Sequence, residues 1–352
     1  MSRPCGVFDE KYEKDQAIFR TRTHWFLLAA ALVFVFSLPS WIGGQVLNTL
    51  NLIAITIIAV QGVNILTGMT GQITLGQSAF MAVGAYSMYL MVVYLQFNFW
   101  LSLPIAMLIS GISGLVFGIP SLRIKGFYLA MATLAAQFII PWMIINIRPD
   151  LTGGVETVSF PSPRIGDFVF NTQENIFYLV FVFAILAIYF ARNIQRSRIG
   201  RAFIAIRDND LAAEIMGISI FRYKLLSFFI CSIYAGLAGV LLAVWIRGVS
   251  YELFGLHESI WFLGMLILGG LGSVPGVCFG VFAIQSLEIL VRYSGGIIRP
   301  LFNPEIGRAI ELGIAPIVFG VVVLSFIIFE PKGLAQIWER IKNFYRSWPF
   351  SY

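Results

Sequence analysis

The sequence predicts an all-α polytopic membrane protein of about ten transmembrane helices, including a broken or re-entrant segment. Three observations carry this. Of 352 residues, 58% are apolar and only 12% charged, about half the charged share of an ordinary soluble domain. At about 20 apolar residues per crossing, that apolar content amounts to roughly ten spans, which excludes a soluble protein or a disordered chain. The apolar residues also come in unbroken runs such as Leu312 to Phe329, whereas a membrane β-barrel shows short alternating segments.

In chain order, the first segment, 1–24, mixes Lys11, Lys14, Arg20 and Arg22 with Asp9, Glu10, Glu13 and Asp15. It lacks the pattern of a signal peptide and reads as a retained cytoplasmic tail. Apolar runs follow at 25–42, 46–66, 73–95, 100–119, 127–147, 175–191, 224–246, 258–273, 275–292 and 309–329. They make a membrane domain of 25–329 and leave 330–352 as a second cytoplasmic tail. With the amino terminus inside and every run crossing, 18 of the 24 Lys and Arg residues lie in or bordering cytoplasmic segments. This is the positive-inside bias, and it places both termini in the cytoplasm. The net charge of +6 therefore reports topology in a lipid bilayer and gives no reason to expect nucleic acid. Cys5, Cys231 and Cys278 show no paired spacing, so neither a disulfide framework nor a metal site follows.

Residues 67–78 are polar and glycine-rich immediately before a helical run. A break here is tolerated in lipid only where protein or an aqueous cavity covers the freed backbone groups. A half-helix starting near Gln77 or Ser78 would point free amides at a carboxylate, as transport sites do; alternatively, the glycines only allow close packing. Gly114 and Gly118, and Gly272, Gly276 and Gly280, recur every fourth residue and read as packing faces. Glu288 sits inside an apolar run four residues before Arg292, a spacing that suits a structural pair or a role in a substrate path.

The cytoplasmic loop at 192–223 carries a short helix near 208–217. Asp208 or Asn209 can cap it, Asp210 sits in its first turn, and Gly217 can take the left-handed stop. Ahead of it, Ile199, Phe203 and Ile206 fall at helical spacing beside Arg198, Arg201 and Arg207. Such a helix either rests on anionic lipid headgroups or docks a cytoplasmic protein. No Ser/His/Asp arrangement, catalytic carboxylate pair or phosphate-cradling GxxxxGK[ST] pattern is present. An enzyme is disfavoured, and any nucleotide would have to be bound by another polypeptide.

Residues 65–91, ILTGMTGQITLGQSAFMAVGAYSMYLM, resemble the signature of LivM-type permeases of branched-chain amino acid ABC importers. GFYLAMATL at 126–134, LTGG at 151–154, GRAFIAIRDNDLAAEIMG at 200–217, YAGLAG at 234–239, GMLILGGLGSVPGVCFG at 264–280 and EPKGL at 330–334 resemble that family in the same order. The resemblance implies a type II importer-like permease of a bacterial inner membrane. The same resemblance implies pairing with a LivH-like second permease, two cytoplasmic ATPase subunits that bind ATP and Mg, and a periplasmic substrate-binding protein. It also implies a translocation path at the interface of two permeases. Leu211-Ala212-Ala213 and Gly217 resemble the A-A-x-x-x-G part of the ATPase-docking loop of such importers, with Leu211 where Glu is common. The docking set is then Arg201, Arg207, Asp208, Asp210, Leu211, Ala212, Ala213, Glu214 and Gly217. The substrate-path set is Gly71, Gln72, Thr74, Gly76, Gln77, Ser78 and Tyr86. Urea, short amides or another small organic acid are alternative cargoes. A transporter or channel working alone is an alternative of another class, disfavoured by the docking-type loop and the scarcity of intramembrane ionisable residues.

Overall fold

A computed structural model describes residues 22–121, 127–165, 168–298, 304–330 and 332–347. The amino-terminal tail up to residue 21 and residues 122–126 lie outside the described residues, as does the side chain of Arg292. Helices α1 (Arg22–Ser37), α2 (Gly44–Val63), α3 (Gln77–Val93), α4 (Phe99–Ser121) and α5 (Phe127–Asn146) come first. The short helix α6 (Pro149–Thr152) and strands β1 (Val158–Ser159), β2 (Arg164–Ile165) and β3 (Phe168–Val169) follow. Then come α7 (Gln173–Arg196), α8 (Arg198–Asp208), α9 (Asp210–Ile215) and α10 (Ile220–Ile246). The remainder is β4 (Gly248–Val249), α11 (Leu256–Gly269), α12 (Val274–Ile298), α13 (Pro304–Phe329) and α14 (Gly333–Ser347).

Ten spans are not confirmed. Among the described residues, seven helices are long and apolar enough to cross a membrane, or up to eight if α13 and α14, bent by 51°, count as one. The difference arises where an apolar run does not make one long helix. The run at 25–42 ends its α-helix at Ser37, before a 3₁₀ turn containing Pro39. The run at 73–95 becomes helical only at Gln77, so α3 has 17 residues.

Helix α2 is the axis of the bundle: 89% of its most apolar stretch is buried inside the protein. A helix shielded from lipid can carry polar groups, and Asn51, Gln61 and Asn64 are all fully buried on it or its continuation. Small residues let the neighbours close in. A side chain at Gly62 would lie 2.8 Å from Tyr234 Cβ on α10, and one at Gly236 would lie 2.7 Å from Ser110 Cβ on α4. Ser110 Oγ lies 2.8 Å from the Phe80 carbonyl of α3 and 2.7 Å from the Ser232 carbonyl of α10, its single proton shared between the two, at the meeting point of three helices. Gly114 and Gly118 face Ser232 and Phe228 of α10 as packing positions. Gly276 and Gly280 press on Gly269 and Met265 of α11, whereas Gly272 lies in the α11–α12 turn with φ +81°. At the far end of α10, β4 pairs antiparallel with β1, Val158 opposite Val249, and fastens the 148–174 connection to the bundle.

Two segments differ from their sequence reading. The loop at 192–223 is almost wholly helical: α7 runs on to Arg196, and α8, α9 and the start of α10 follow with one- to four-residue joints. The tail at 330–352 contains α14, which returns to the bundle and sets Trp338 against Phe279 of α12 with ring centroids 5.5 Å apart. Its apolar residues are interleaved with charges, so it forms no long apolar run.

Candidate functional site

The break between α2 and α3 is built by a change of helical pitch. Asn64–Met69 continue α2 as a π-helix, and Gly71, at φ +76°, turns the chain out of it. Wider π-turns leave backbone groups out of register, and side chains take them up. The Thr67 hydroxyl donates to the Gln72 carbonyl at 2.9 Å, and the Thr70 hydroxyl to the Ile65 carbonyl at 3.0 Å. The Asn64 Oδ1 accepts the Gly272 amide at 2.9 Å. The extended stretch then passes α5: the Leu75 amide donates to Thr133 Oγ1 at 3.0 Å, and a side chain at Gly76 would meet the Thr133 carbonyl at 2.8 Å.

The amino end of α3 is buried, and its first amides have protein partners. Ser78 N donates to Ser259 Oγ and Ala79 N to Gln137 Oε1, each at 3.0 Å. Gln137 is held in turn through its Nε2 on the Phe254 carbonyl at 2.7 Å. The amides that a half-helix would offer to a carboxylate are thus occupied by α5 and α11. Gln77, 1% exposed, donates to the Ala59 carbonyl at 2.9 Å and accepts from Cys231 Sγ at 3.1 Å. Gln72, Thr74, Ser78 and Tyr86 are likewise buried. Both amide atoms of Gln72, the Ser78 hydroxyl and the Tyr86 hydroxyl are buried without a hydrogen-bond partner. Such orphan groups are uncommon in native proteins and call for a partner the isolated chain lacks, or for a second conformation.

The second half of the site is the α8–α9 pair. Ser197 caps α8 at the Gly200 amide, and Asn209 Oδ1 caps α9 at the Ala212 amide, 3.1 Å away. Gly217, φ +84°, ends α9, with the Ile218 amide returning to the Ala213 carbonyl at 3.0 Å. Phe203, Ile206 and Ala213 are buried against the bundle. Leu211, Ile215 and Met216 are 63, 86 and 81% exposed, an apolar tip flanked by the exposed Ala212 and Glu214. Asp210 lies in the first turn of α9, where a carboxylate favours the helix dipole. Arg201 Nη1 donates back to the Arg196 carbonyl at 3.3 Å.

Arg207 joins the two halves. Its Nη1 donates to the Gly68 carbonyl in the π-turn at 2.8 Å, while its Nη2 lies 3.1 Å from Asp208 Oδ1. A side chain at Gly71 would lie 3.0 Å from Arg207 Cγ, so the glycine admits the arginine stem. Gln195 Nε2 on the Gly272 carbonyl, 2.8 Å, adds a parallel tie from the end of α7 to the α11–α12 turn. The sequence reading names Arg207 and Gly71 but misses Asn64, Thr133, Gln137, Gln195 and Ser259. Gln137 has a usable signal, an amide in the middle of the apolar run at 127–147. No group of three or more His, Cys, Asp or Glu positioned to hold a metal ion occurs among the described residues.

Residues 45–329 match the family model described as the branched-chain amino acid transport system / permease component. The chain is 30% identical over 331 residues to the high-affinity branched-chain amino acid transport system permease protein LivM of Escherichia coli, covering 87% of this chain and 74% of that protein. It is 24% identical over 242 residues to the probable LivM permease of Methanocaldococcus jannaschii, covering 66% and 67%. The LivH permease protein of Salmonella typhimurium is 31% identical over 150 residues, 40% of this chain and 48% of LivH. With the match spanning α2 to the end of α13, and with it the π-turn and the α8–α9 pair, the chain belongs to the family of branched-chain amino acid transport permease components.

Proposed function

We propose that this chain is one permease subunit of an ATP-driven, binding-protein-dependent importer of amino acids, most specifically branched-chain ones, in a bacterial inner membrane. A LivH-like permease supplies the other half of an alternating-access path. Two cytoplasmic ATPases supply the ATP and Mg sites, and a periplasmic binding protein delivers the solute. Both termini face the cytoplasm, consistent with the distribution of Lys and Arg.

The observation that carries this reading is the Arg207–Gly68 bond. The apolar tip of α9, Leu211, Ile215 and Met216, provides a surface for an ATPase. Movement of that tip reaches the break through α8 and Arg207, because the guanidinium holds a backbone carbonyl of the π-turn directly. At the break, rearrangement would give Gln72, Ser78 and Tyr86 the partners they lack, which supports their placement on the substrate path with Gly71, Thr74, Gly76 and Gln77. In the test, the chain is reconstituted in liposomes with its second permease, ATPases and binding protein. Uptake of a branched-chain amino acid that requires ATP and every subunit is the expected result. Uptake by the chain alone, or without ATP, would overturn the proposal.

A further inference from the structure

A cavity of about 420 Å³ opens where α7, α8, the α11–α12 turn and α14 meet. The helices around it set its depth. Arg192 and Gln195 stand at the end of one apolar stretch long enough to cross a membrane, Gln173–Arg196. Gly272 and Ser273 lie between two others, Tyr251–Gly269 and Val274–Val291, and the Gln195 amide bonds the Gly272 carbonyl at 2.8 Å. A cavity at the shared ends of three such helices sits where a bilayer passes from acyl chains to headgroups.

Its charge is mainly positive. Among the described residues that line it, Arg192, Arg207 and Lys342 are cations and Glu339 is an anion. The cations come from α7, α8 and α14, so the fold gathers them and local sequence does not. Arg192 Nη1 donates to Gln195 Oε1 and Arg207 Nη1 to the Gly68 carbonyl, each at 2.8 Å, which holds both guanidinium groups in place. A guanidinium has five donors, so these bonds leave others for phosphate oxygens. Asp208, 3.1 Å from Arg207 Nη2, and Glu339 offset part of the charge. Arg196, partly buried one turn beyond the partly buried Arg192, adds to it. Like charges at that spacing repel, and an anion beside them relieves the repulsion. Ser273 and Pro275 bring in the amino end of the 25-residue α12, whose dipole has the same sign.

The second, independent observation is apolar. Trp338 lines the cavity at 50% exposure, Ile341 follows it on the same face of α14 at 44%, and Leu271 in the turn is 51% exposed. A helix that interleaves apolar residues with charges beside the ends of spans lies in the plane of the interface, its apolar face towards acyl chains. Lys342, one turn after Trp338, then reaches the headgroup level. A free phosphate ion would use the cations and leave this face in water, whereas a phospholipid uses both. A zwitterionic lipid brings an ammonium group that the three cations repel.

We infer that this cavity binds the headgroup phosphate of an anionic phospholipid, with Arg192, Arg207 and Lys342 on the phosphate and Trp338, Ile341 and Leu271 against the start of the acyl chains. The inference goes beyond the importer reading and does not rest on it, since it needs only that these helices cross a bilayer.

The test uses the full chain in a nonionic detergent, titrated with dioctanoyl phosphatidylglycerol, with dioctanoyl phosphatidylcholine, which keeps the chains and phosphate but adds a fixed cation, and with inorganic phosphate. Native mass spectrometry counts bound lipid, and tryptophan emission read against Trp338→Phe locates it. Phosphatidylglycerol is expected to bind about tenfold more tightly than phosphatidylcholine, and inorganic phosphate at equal concentration is expected not to displace it. Arg192→Gln and Lys342→Gln should each weaken phosphatidylglycerol about fivefold, the effect of one cation near a headgroup. Glu339→Gln should tighten it, a gain that misfolding cannot produce. Equal affinity for the two lipids, or unchanged affinity in all three variants, would overturn the site. Displacement by inorganic phosphate would assign the cavity to a free anion and overturn the lipid. Release of the lipid when the ATPases are added would assign the cavity to their surface and overturn it as well.

Discussion

Arg207 on α8 donates to the carbonyl of Gly68, 139 residues earlier in the chain, across 2.8 Å. A guanidinium on a free carbonyl of an irregular turn is a stronger tie than a neutral bond, worth about 1.5–3 kcal/mol when shielded. It makes the cytoplasmic helix pair and the helix break move as neighbours.

Arg207→Ala should therefore uncouple the importer. The expected result is leucine uptake reduced by about tenfold or more, with ATP hydrolysis by the assembled complex retained. Arg207→Lys, which keeps the charge but lacks the planar fork, should fall between the two. Parallel measurement of hydrolysis and uptake in proteoliposomes checks this, and equal loss of both would point to failed assembly.

Gln72→Leu and Gln77→Leu should separate path from packing. Gln77 bonds Ala59 and Cys231, so its loss should cost about 1–3 kcal/mol of stability. Both amide atoms of Gln72 are orphaned, so replacing it should leave the thermal midpoint unchanged or raised while uptake falls. Thermal unfolding in nanodiscs beside uptake reads both effects; unimpaired uptake in Gln72→Leu would remove that residue from the path.

Gly239→Ala should destabilise the bundle by about 1–3 kcal/mol. A methyl group there would lie 2.9 Å from Met81 Cα and closer still to the Met81 carbonyl, backbone that cannot step aside. Gly320→Ala on α13 is the control, since nothing lies within 4 Å of the added carbon; it should stay within about 0.5 kcal/mol or be slightly stabilising.

Asn209→Ala should cost about 1 kcal/mol by removing the cap of α9. The effect is local, so faster hydrogen exchange over 210–216 at an unchanged global midpoint is expected. Ala213→Asp puts a carboxylate at a 3% exposed position and should abolish retention of the ATPases in affinity purification. Gly217→Val strains a left-handed residue at φ +84° and should weaken retention without abolishing it.

Features encoded by local chemistry were legible in the sequence. The glycine-rich break before Gln77, a short helix capped at Asp208 or Asn209, of which Asn209 is the cap, and its left-handed end at Gly217 each follow from two or three adjacent residues. Of the glycines assigned to packing from spacing, Gly114, Gly118, Gly276 and Gly280 do pack, whereas Gly272 of the same series serves the α11–α12 turn. The span count was not legible, because run length does not reveal where a helix stops: Ser37 and Gln77 end and begin helices inside apolar runs. Nor was α14, whose apolar stripe is visible only once Trp338 meets Phe279. The pairing of β1 with β4 depends on two-residue strands about 90 positions apart, with no local pattern to announce it. At the site, Gln72, Gln77 and Arg207 were readable as unusual polar residues in unusual places. Their partners Ala59, Gly68 and Cys231 carry no such mark, because a backbone carbonyl looks the same in every residue.

The buried amino end of α3 also bears on how the protein is made. Its first amides are received by Gln137 and Ser259, residues that leave the ribosome about 60 and 180 positions after the helix itself. With 17 residues, α3 is short for a span of about 20, and its exposed donors are costly in lipid until those acceptors arrive. The α2–α3 hairpin must therefore wait in the membrane or its insertion machinery, incomplete, until α11 has been synthesised. A truncated chain ending before Ser259 lacks the acceptor of the Ser78 amide and keeps only Gln137 at the start of that helix.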